Sequence, residues 1–351
     1  MKTWRLLDTP PMTAAENMAL DEALLELKGR GRSPDTIRFL QFKPRCVLVG
    51  YHQALQEEIR LDYCREQGIE VNRRITGGGA IFFDENQLGW EVYCDKSFFD
   101  VIIPNNRLFK TLCQPVAVAL GRLGLKAEFR PRNDIEINGR KISGTGGTES
   151  GEAFMFQGTM LVDFDVQTML RALRIPVEKL KAKEIDSVRE RVTCLSWELG
   201  YTPKLAQIKA AIRYGFEHHL GIRLEPAGLT EEETRLFHAK LDRFRSSTWI
   251  DRVKPRFQKR ETVQSAYKAD AGMVRFTLVV NLPQRRIKDI YITGDFLSFP
   301  GRALYDLEAE LRGMSLDRDQ LLFKIRRWFE EGVRHPPGAL QPDFGDQRHV
   351  R

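Results

Sequence analysis

Apolar residues first recur at helical spacing near the start of the chain, where Leu20, Leu24 and Leu27 fall on one stripe. Thr13 and Glu16 stand just ahead of it at the spacing of a capping box, in which hydroxyl and carboxylate satisfy free N–H groups of the first turn. The pattern predicts a helix that closes at Gly29-Arg30-Gly31. Residues 37–40 and 46–49 are short apolar runs split at Pro44 and predict strands. Residues 57–67 predict a helix stopped at Gly68, and 69–72 a strand that runs into a glycine-rich loop. Past that loop, 80–83 and 90–94 predict adjacent strands joined through Glu85-Asn86-Gln87.

The clearest amphipathic helix spans 108–123 and ends before Gly124. Strands are expected at 127–129, 135–142 and 158–164, a helical start at 169–173, and a helix over 205–219 with Gly221 as its stop. Residues 224–248 are rich in charge and read as a loosely packed connection, so the domain boundary is expected there. Beyond it, 264–281 predict paired strands, Pro283-Gln284 a turn, 287–293 a return strand, and 308–311 with 316–329 helices. This order gives an α+β fold class. Residues 1–245 would form a domain of mixed β-sheets flanked by helices, and 249–335 a small α+β accessory domain. Residues 336–351, poor in apolar side chains, would be a mobile tail.

Composition changes this picture little. At 351 residues and 42% hydrophobic, the chain suits two domains with ordinary cores. A net charge of +7 invites a nucleic-acid reading, but 48 acidic residues are interleaved among 55 basic ones. No aromatic-rich basic stripe or zinc-finger spacing appears, so no nucleic-acid partner is expected. An acidic protein or a phosphate-bearing ligand explains the excess more simply. The five cysteines are far apart and form no CxxC pair, which supports neither a structural zinc site nor a thioredoxin motif. With no apolar signal core and no long uncharged span, the expectation is a cytoplasmic monomer without a membrane partner.

Two segments concentrate the chemistry. In the first, Arg73 and Arg74 precede Ile75, Thr76 and the run Gly77-Gly78-Gly79, followed by Ala80, Ile81, Phe82 and Phe83. Three glycines in a row cost backbone entropy and pack no side chain, so close approach of the backbone to a ligand gives a reason to keep them. The run matches neither GxxxxGK[ST] nor GxGxxG; alone, it would pass for a plain turn between strands. Arg74 beside it offers a forked donor for a carboxylate.

The second segment runs from Asn133 to Gly144. Asn138-Gly139 predicts a two-residue type I′ hairpin, because both positions need φ > 0. The register would set Ile137 against Arg140, Glu136 against Lys141, Ile135 against Ile142 and Asp134 against Ser143. Ile135, Ile137 and Ile142 would then face the core, and Asp134, Glu136, Lys141 and Ser143 would form a polar face. That face is either a solvated surface with a Glu136–Lys141 pair of little energetic worth, or a cleft in which Lys141 is a fixed charge for a phosphate or acyl phosphate. In the cleft reading Asp134 would serve a magnesium ion or a nucleotide.

Taken together, these segments resemble the lipoate–protein ligase A family of the biotin/lipoyl ligase fold group. The likeness rests on Arg73-Arg74-Ile75-Thr76-Gly77-Gly78-Gly79-Ala80, on Asn133-Asp134-Ile135, and on Lys141-Ile142-Ser143-Gly144. Arg191-Val192-Thr193 is similar to a further family segment, and Trp249, Pro255-Arg256-Phe257 and Gly294-Asp295-Phe296 to its C-terminal domain. The resemblance implies an ATP-dependent ligase acting in two steps. Lipoate or octanoate attacks the α-phosphate of ATP, with Mg2+, and the acyl-AMP then acylates a lysine of a lipoyl-carrier protein. The carrier would be a glycine-cleavage H-like protein, an E2 lipoyl domain or a specialised lipoate-binding protein.

By the same resemblance Lys141 is the catalytic lysine. Arg74, Thr76, Gly77, Gly78, Gly79, Gly158 and Thr159 would bind the acyl substrate. Ala80, Ile81, Phe82, Asn133, Asp134, Lys141 and Ser143 would bind the nucleotide, with Asp134 on the magnesium. The chain departs from the family where Gln157 stands in place of a histidine and where Tyr51-His52-Gln53 replaces a Gly-Arg-x-Gln-Asn run.

Two rivals stand beside the ligase. One is an octanoyl- or lipoyl-transferase of the same fold that uses no ATP and forms a cysteine thioester. The cysteine of such relatives precedes the lysine segment, where this chain has Arg130-Pro131-Arg132-Asn133-Asp134. The other is a non-catalytic carrier-binding homologue.

Overall fold

The computed structural model describes residues 1–99, 106–131, 133–174, 188–253, 262–269, 272–299 and 301–331. The segment 255–257 and the tail 336–351 lie outside them. An eight-stranded sheet is built from β1 (Lys2–Asp8), β2 (Thr36–Leu40), β6 (Leu88–Asp95), β7 (Glu128–Arg130), β8 (Asp134–Ile137), β9 (Arg140–Ser150), β10 (Ala153–Met160) and β11 (Ile222–Pro226), in the order β11-β1-β2-β6-β10-β9-β8-β7. β1 runs parallel to both β2 and β11, and the pairings from β2 to β7 are antiparallel.

One face of this sheet is covered by the helices Asn106–Arg122 and Leu205–Leu220. Trp90, Val92, Phe154 and Phe156 pack there against Leu112, Val116, Ile212 and Phe216. Gly215 allows the close crossing, since a Cβ on it would stand 2.0 Å from the Pro115 carbonyl oxygen. The other face carries the Ala14–Gly29 helix. Its expected capping box is present: the Thr13 amide donates to Glu16 at 2.9 Å and the Glu16 amide to the Thr13 hydroxyl at 3.3 Å.

A second sheet, β4-β3-β5, joins β3 (Cys46–Val49), β4 (Glu70–Arg73) and β5 (Ile81–Phe83). β5 and β6 were expected to be neighbours, but they belong to different sheets. β5 pairs with β3, and the chain from Asp84 to Gln87 carries it across to the larger sheet. Alternation within β5 sends Phe83 toward Met18, Leu40 and Leu48, and Phe82 toward Val47, Val49 and Ile59. The helix expected over 57–67 is broken into Leu55–Glu58 and Leu61–Glu66, because Ile59 leaves helical geometry to bridge Leu173.

The stretch 224–248 is not loose. β11 opens it, and a helix over Glu231–Arg245 follows, with Thr230 and Glu233 forming another capping box. Glu233, fully buried, pairs with Arg5 at 2.6 Å, and this buried ion pair holds the helix to the sheet. The charge that suggested a linker is therefore the outer face of a docked helix. Phe244 and Trp249 are buried in one cluster with Met18 and Phe42.

The remaining unit is a meander of β12 (Thr262–Ala269), β13 (Gly272–Asn281) and β14 (Arg286–Gly294), backed by helices over Ala303–Leu311 and Arg318–Glu331. It has its own core, which includes Ile290, Ile292, Leu304, Leu307 and Trp328. The α+β expectation holds for both parts. No helix among the described residues is long and apolar enough to cross a membrane.

Candidate active site

The β8–β9 hairpin carries the lysine. Asn138 and Gly139 take φ of 51° and 76°, Ile137 opposes Arg140, and Glu136 opposes Lys141, as the turn chemistry predicts. Next to them the register departs from expectation. A bulge sets Ile135 against Ser143 and Asp134 against Gly144, in place of the expected Ile135–Ile142 and Asp134–Ser143 pairs. One extra residue on β9 takes up the shift. Ser143 is consequently fully buried, and its hydroxyl meets no hydrogen-bond partner among the described residues. It does not share the polar face assigned to it.

The Lys141 ammonium lies 2.7 Å from Asp134 Oδ1. Glu136, the partner expected for it on the hairpin, pairs with Arg130 at 2.6 Å. Gly144 leaves the space the lysine occupies, since a Cβ there would stand 2.6 Å from Nζ. The lysine backbone is clamped as well: its amide donates to Arg191 O and its carbonyl accepts from the Thr193 amide, both at 2.8 Å. Arg191-Val192-Thr193 is thus a strap on the strand that carries Lys141. It is held in turn by Glu198, which takes the Thr193 hydroxyl and Arg140.

The glycine loop is fixed by the two arginines before it. Arg73 spans the carbonyls of Gly50, Gln53 and Ile250 at 2.7–3.1 Å. Arg74 donates to the Leu48, Gly77 and Gly79 carbonyls at 3.1, 2.9 and 2.7 Å, and to the Thr76 hydroxyl at 3.1 Å. Its fork therefore holds the loop, where a substrate carboxylate was expected. Burial lowers both guanidiniums to about 10, which leaves them charged at neutral pH. Thr76 is fully buried and also accepts from Gln157 Nε2 at 2.8 Å.

Between loop and hairpin lies a cavity of about 190 Å³. Lys141, Asn133, Gly144 and Thr159 mark its polar end, and Gly77, Gly78, Gly79 and Arg74 its roof. Met18, Leu40, Phe42, Leu48 and Phe83 form an apolar wall. Gly158, Ala80 and Ile81 also line it. Gly158 has no room for a side chain, because a Cβ would strike the Trp90 ring at 2.2 Å. Phe82, expected along a nucleotide, turns away into the β3 core. Asn133 spends its side-chain amide on the Thr145 carbonyl at 2.6 Å. Asp134, expected on a magnesium ion, is engaged by Lys141, and the described residues contain no group of three or more His, Cys, Asp or Glu placed to hold a metal.

Three features were not singled out from the sequence. Glu91 borders the cavity. The Ala14–Gly29 helix contributes Met18, which is not one of the stripe residues Leu20, Leu24 and Leu27. The third is the contact between the accessory unit and the glycine loop: Gly78 donates to the carbonyl of Phe296, read from the sequence only as part of a C-terminal segment, at 3.0 Å, and Leu297 stands over the loop.

All five cysteines are buried, and burial raises every thiol, that of Cys113 to about 12 and that of Cys64 to about 11. Cys113, 3.9 Å from the Thr145 hydroxyl behind the cavity wall, is not placed or ionised as a nucleophile. His52 is buried too. Burial and the charges of Arg252 and Arg73 push it down to about 3, so it stays neutral.

Residues 13–217 match the model of the lipoyl protein ligase A/B catalytic domain. The octanoyltransferase LipM of Brevibacillus brevis is 28% identical over 259 residues, 67% of this chain and 94% of the relative. That of Symbiobacterium thermophilum is 30% identical over 260 residues, 66% and 92%. Among solved structures, a bi-partite lipoate protein ligase from Thermoplasma acidophilum, studied with its E2 lipoyl domain, is 29% identical with a TM-score of 0.65 and covers 73% of this chain and 99% of its own. A lipoate-protein ligase A bound with ATP is 27% identical with a TM-score of 0.62, covering 71% and 98%.

Proposed function

The chain belongs to the lipoyl protein ligase A/B catalytic-domain family, and we propose that it is an acyltransferase moving an octanoyl-type group from an activated thioester to a lysine of a lipoyl-carrier domain. The ATP-dependent ligase implied by the sequence resemblance is corrected by the curated relatives, which are octanoyltransferases matched over more than nine-tenths of their own length. The ligases among the structural neighbours support the coarser statement, an enzyme of the ligase and transferase family acting in lipoylation. The E2 lipoyl domain studied with one of them supports a carrier domain as partner.

The observation that carries the reading is the cavity itself: about 190 Å³, lined by Met18, Leu40, Phe42, Leu48 and Phe83 and also by Lys141, whose ammonium is held 2.7 Å from Asp134. In the reaction the carrier lysine's amine attacks the thioester carbonyl. A C–N bond forms, negative charge develops on the carbonyl oxygen, and Lys141 neutralises it. The C–S bond then breaks, and the leaving thiolate takes the proton released by the nitrogen. All five cysteines are buried and none lines the cavity, so transfer is direct and forms no acyl-cysteine on the enzyme.

The test is to mix the full chain with an octanoyl-carrier thioester and an apo lipoyl domain, without nucleotide, and weigh the domain. The expected result is one octanoyl added at the carrier lysine. Acylation seen only with free acid plus ATP would overturn the proposal.

A further inference from the structure

The lining of the cavity includes a buried carboxylate, that of Glu91. On β6, Glu91 shares a face with Gly89. Gly89 opposes Thr159, whose hydroxyl receives the Gly144 amide at 3.4 Å beside Lys141, and Glu91 opposes Gln157. Glu91 therefore sits two residues, about 7 Å along a strand, beyond the lysine end. It is 2% exposed and borders the cavity next to the Met18–Leu40–Phe42 wall.

Its carboxylate is held from behind. Oε2 accepts from Arg38 Nη1 at 3.0 Å and from the Tyr93 hydroxyl at 2.8 Å. Arg38, fully buried, also reaches Asp21 Oδ1 and Asn17 Oδ1, each at 2.6 Å. Burial and the neighbouring Glu91 charge push the Asp21 carboxyl well above its ordinary range. One buried guanidinium thus contacts both carboxyls, at 2.6 Å from Asp21 and 3.0 Å from Glu91. Such a network fixes Glu91 in place.

A methyl group pressed against this oxygen-rich end would desolvate it and return nothing, whereas a hydroxyl or thiol would donate to it. We propose that Glu91 determines acyl specificity, so that the cavity prefers a medium-length chain whose far end carries a hydrogen-bond donor over the same chain ending in a methyl. The inference rests on the reading that the acyl chain enters this cavity. A wholly apolar pocket gives no such preference, because it gains nothing from an added hydroxyl.

Calorimetry of the full chain with octanoate and 8-hydroxyoctanoate tests it. The expected result is binding of the hydroxy acid about five- to tenfold tighter, a narrowed gap in Glu91→Gln, and a reversed order in Glu91→Leu. Equal affinities, or a preference unchanged in the near-isosteric Glu91→Gln, would overturn the inference even if Glu91→Leu fails to fold. Octanoyl transfer without the binding preference would sink this inference alone. The preference without transfer to any carrier would sink the proposed function alone.

Discussion

Phe296 lends its carbonyl oxygen to the Gly78 amide at 3.0 Å, so a residue of the accessory unit closes the glycine loop of the catalytic one. The contact is not isolated. The Phe296 ring stacks on His52 at 5.3 Å, Arg275 pairs with Glu58 at 2.7 Å, and Phe299 is buried among Phe109 and Phe154 of the large core. A loop of three glycines has little stiffness of its own, and here rigidity is supplied from both sides: Arg74 from within and Phe296 from without.

That arrangement makes Gly77 sensitive and Gly79 tolerant. A Cβ on Gly77 would stand 2.5 Å from the Phe296 oxygen, backbone against backbone, whereas on Gly79 its nearest neighbour is an Asp295 side-chain atom at 3.6 Å. Gly77→Ala should cost about 1–3 kcal/mol, the scale of overpacking, and Gly79→Ala well under that. Urea unfolding of the two variants checks it; equal midpoints would show that the two units do not meet as described.

Lys141→Ala should reduce the transfer rate by about 10²–10³, the loss seen when one preorganised charge-stabilising donor is removed. The melting temperature should hardly move, because the lysine side chain is 37% exposed and its ion pair contributes little to folding. Lys141→Arg should not rescue the rate, since the space left by Gly144 fits an ammonium. A rate within threefold of wild type for the alanine variant would remove Lys141 from the chemistry.

The sequence made some of this legible and hid the rest for identifiable reasons. The Asn138-Gly139 turn and the Thr13–Glu16 cap are local chemistry, and both appear as read. The bulge beside Ile135 is a two-strand event that no single segment reveals, and it moved Ser143 out of the polar face. Charge on the exposed face of the Glu231–Arg245 helix concealed a docked element, because its anchor is one buried glutamate meeting Arg5, 228 residues away. Arg74 looked like a carboxylate clamp because a guanidinium beside glycines offers the same donors to backbone carbonyls and to ligands. Only the fold shows which takes them.

Arg74→Lys should therefore read as a stability defect. A lysine cannot reproduce the fork that serves Leu48, Gly77 and Gly79, and each carbonyl left buried without a donor costs about 1–3 kcal/mol. The expected result is a melting temperature lowered by several degrees, with thioester KM raised only as far as the loop loosens. Unchanged stability with a steep rise in KM would restore the substrate-carboxylate role.

His52 should make the union of the two units sensitive to acid. Its folded pKa, about 3, lies below the ordinary 6.5 because burial, Arg252 and Arg73 oppose the imidazolium. The unfolded chain takes up the proton first as pH falls. Stability from this residue is thus complete above 6.5 and is lost progressively toward 3. Between pH 7 and pH 5 the loss should be about 2 kcal/mol. His52→Phe keeps a ring against Phe296 and removes the titration, so unfolding free energies of wild type and variant should draw apart by that amount over this interval. A difference that stays constant with pH would mean that His52 is protonated as readily in the folded chain as outside it.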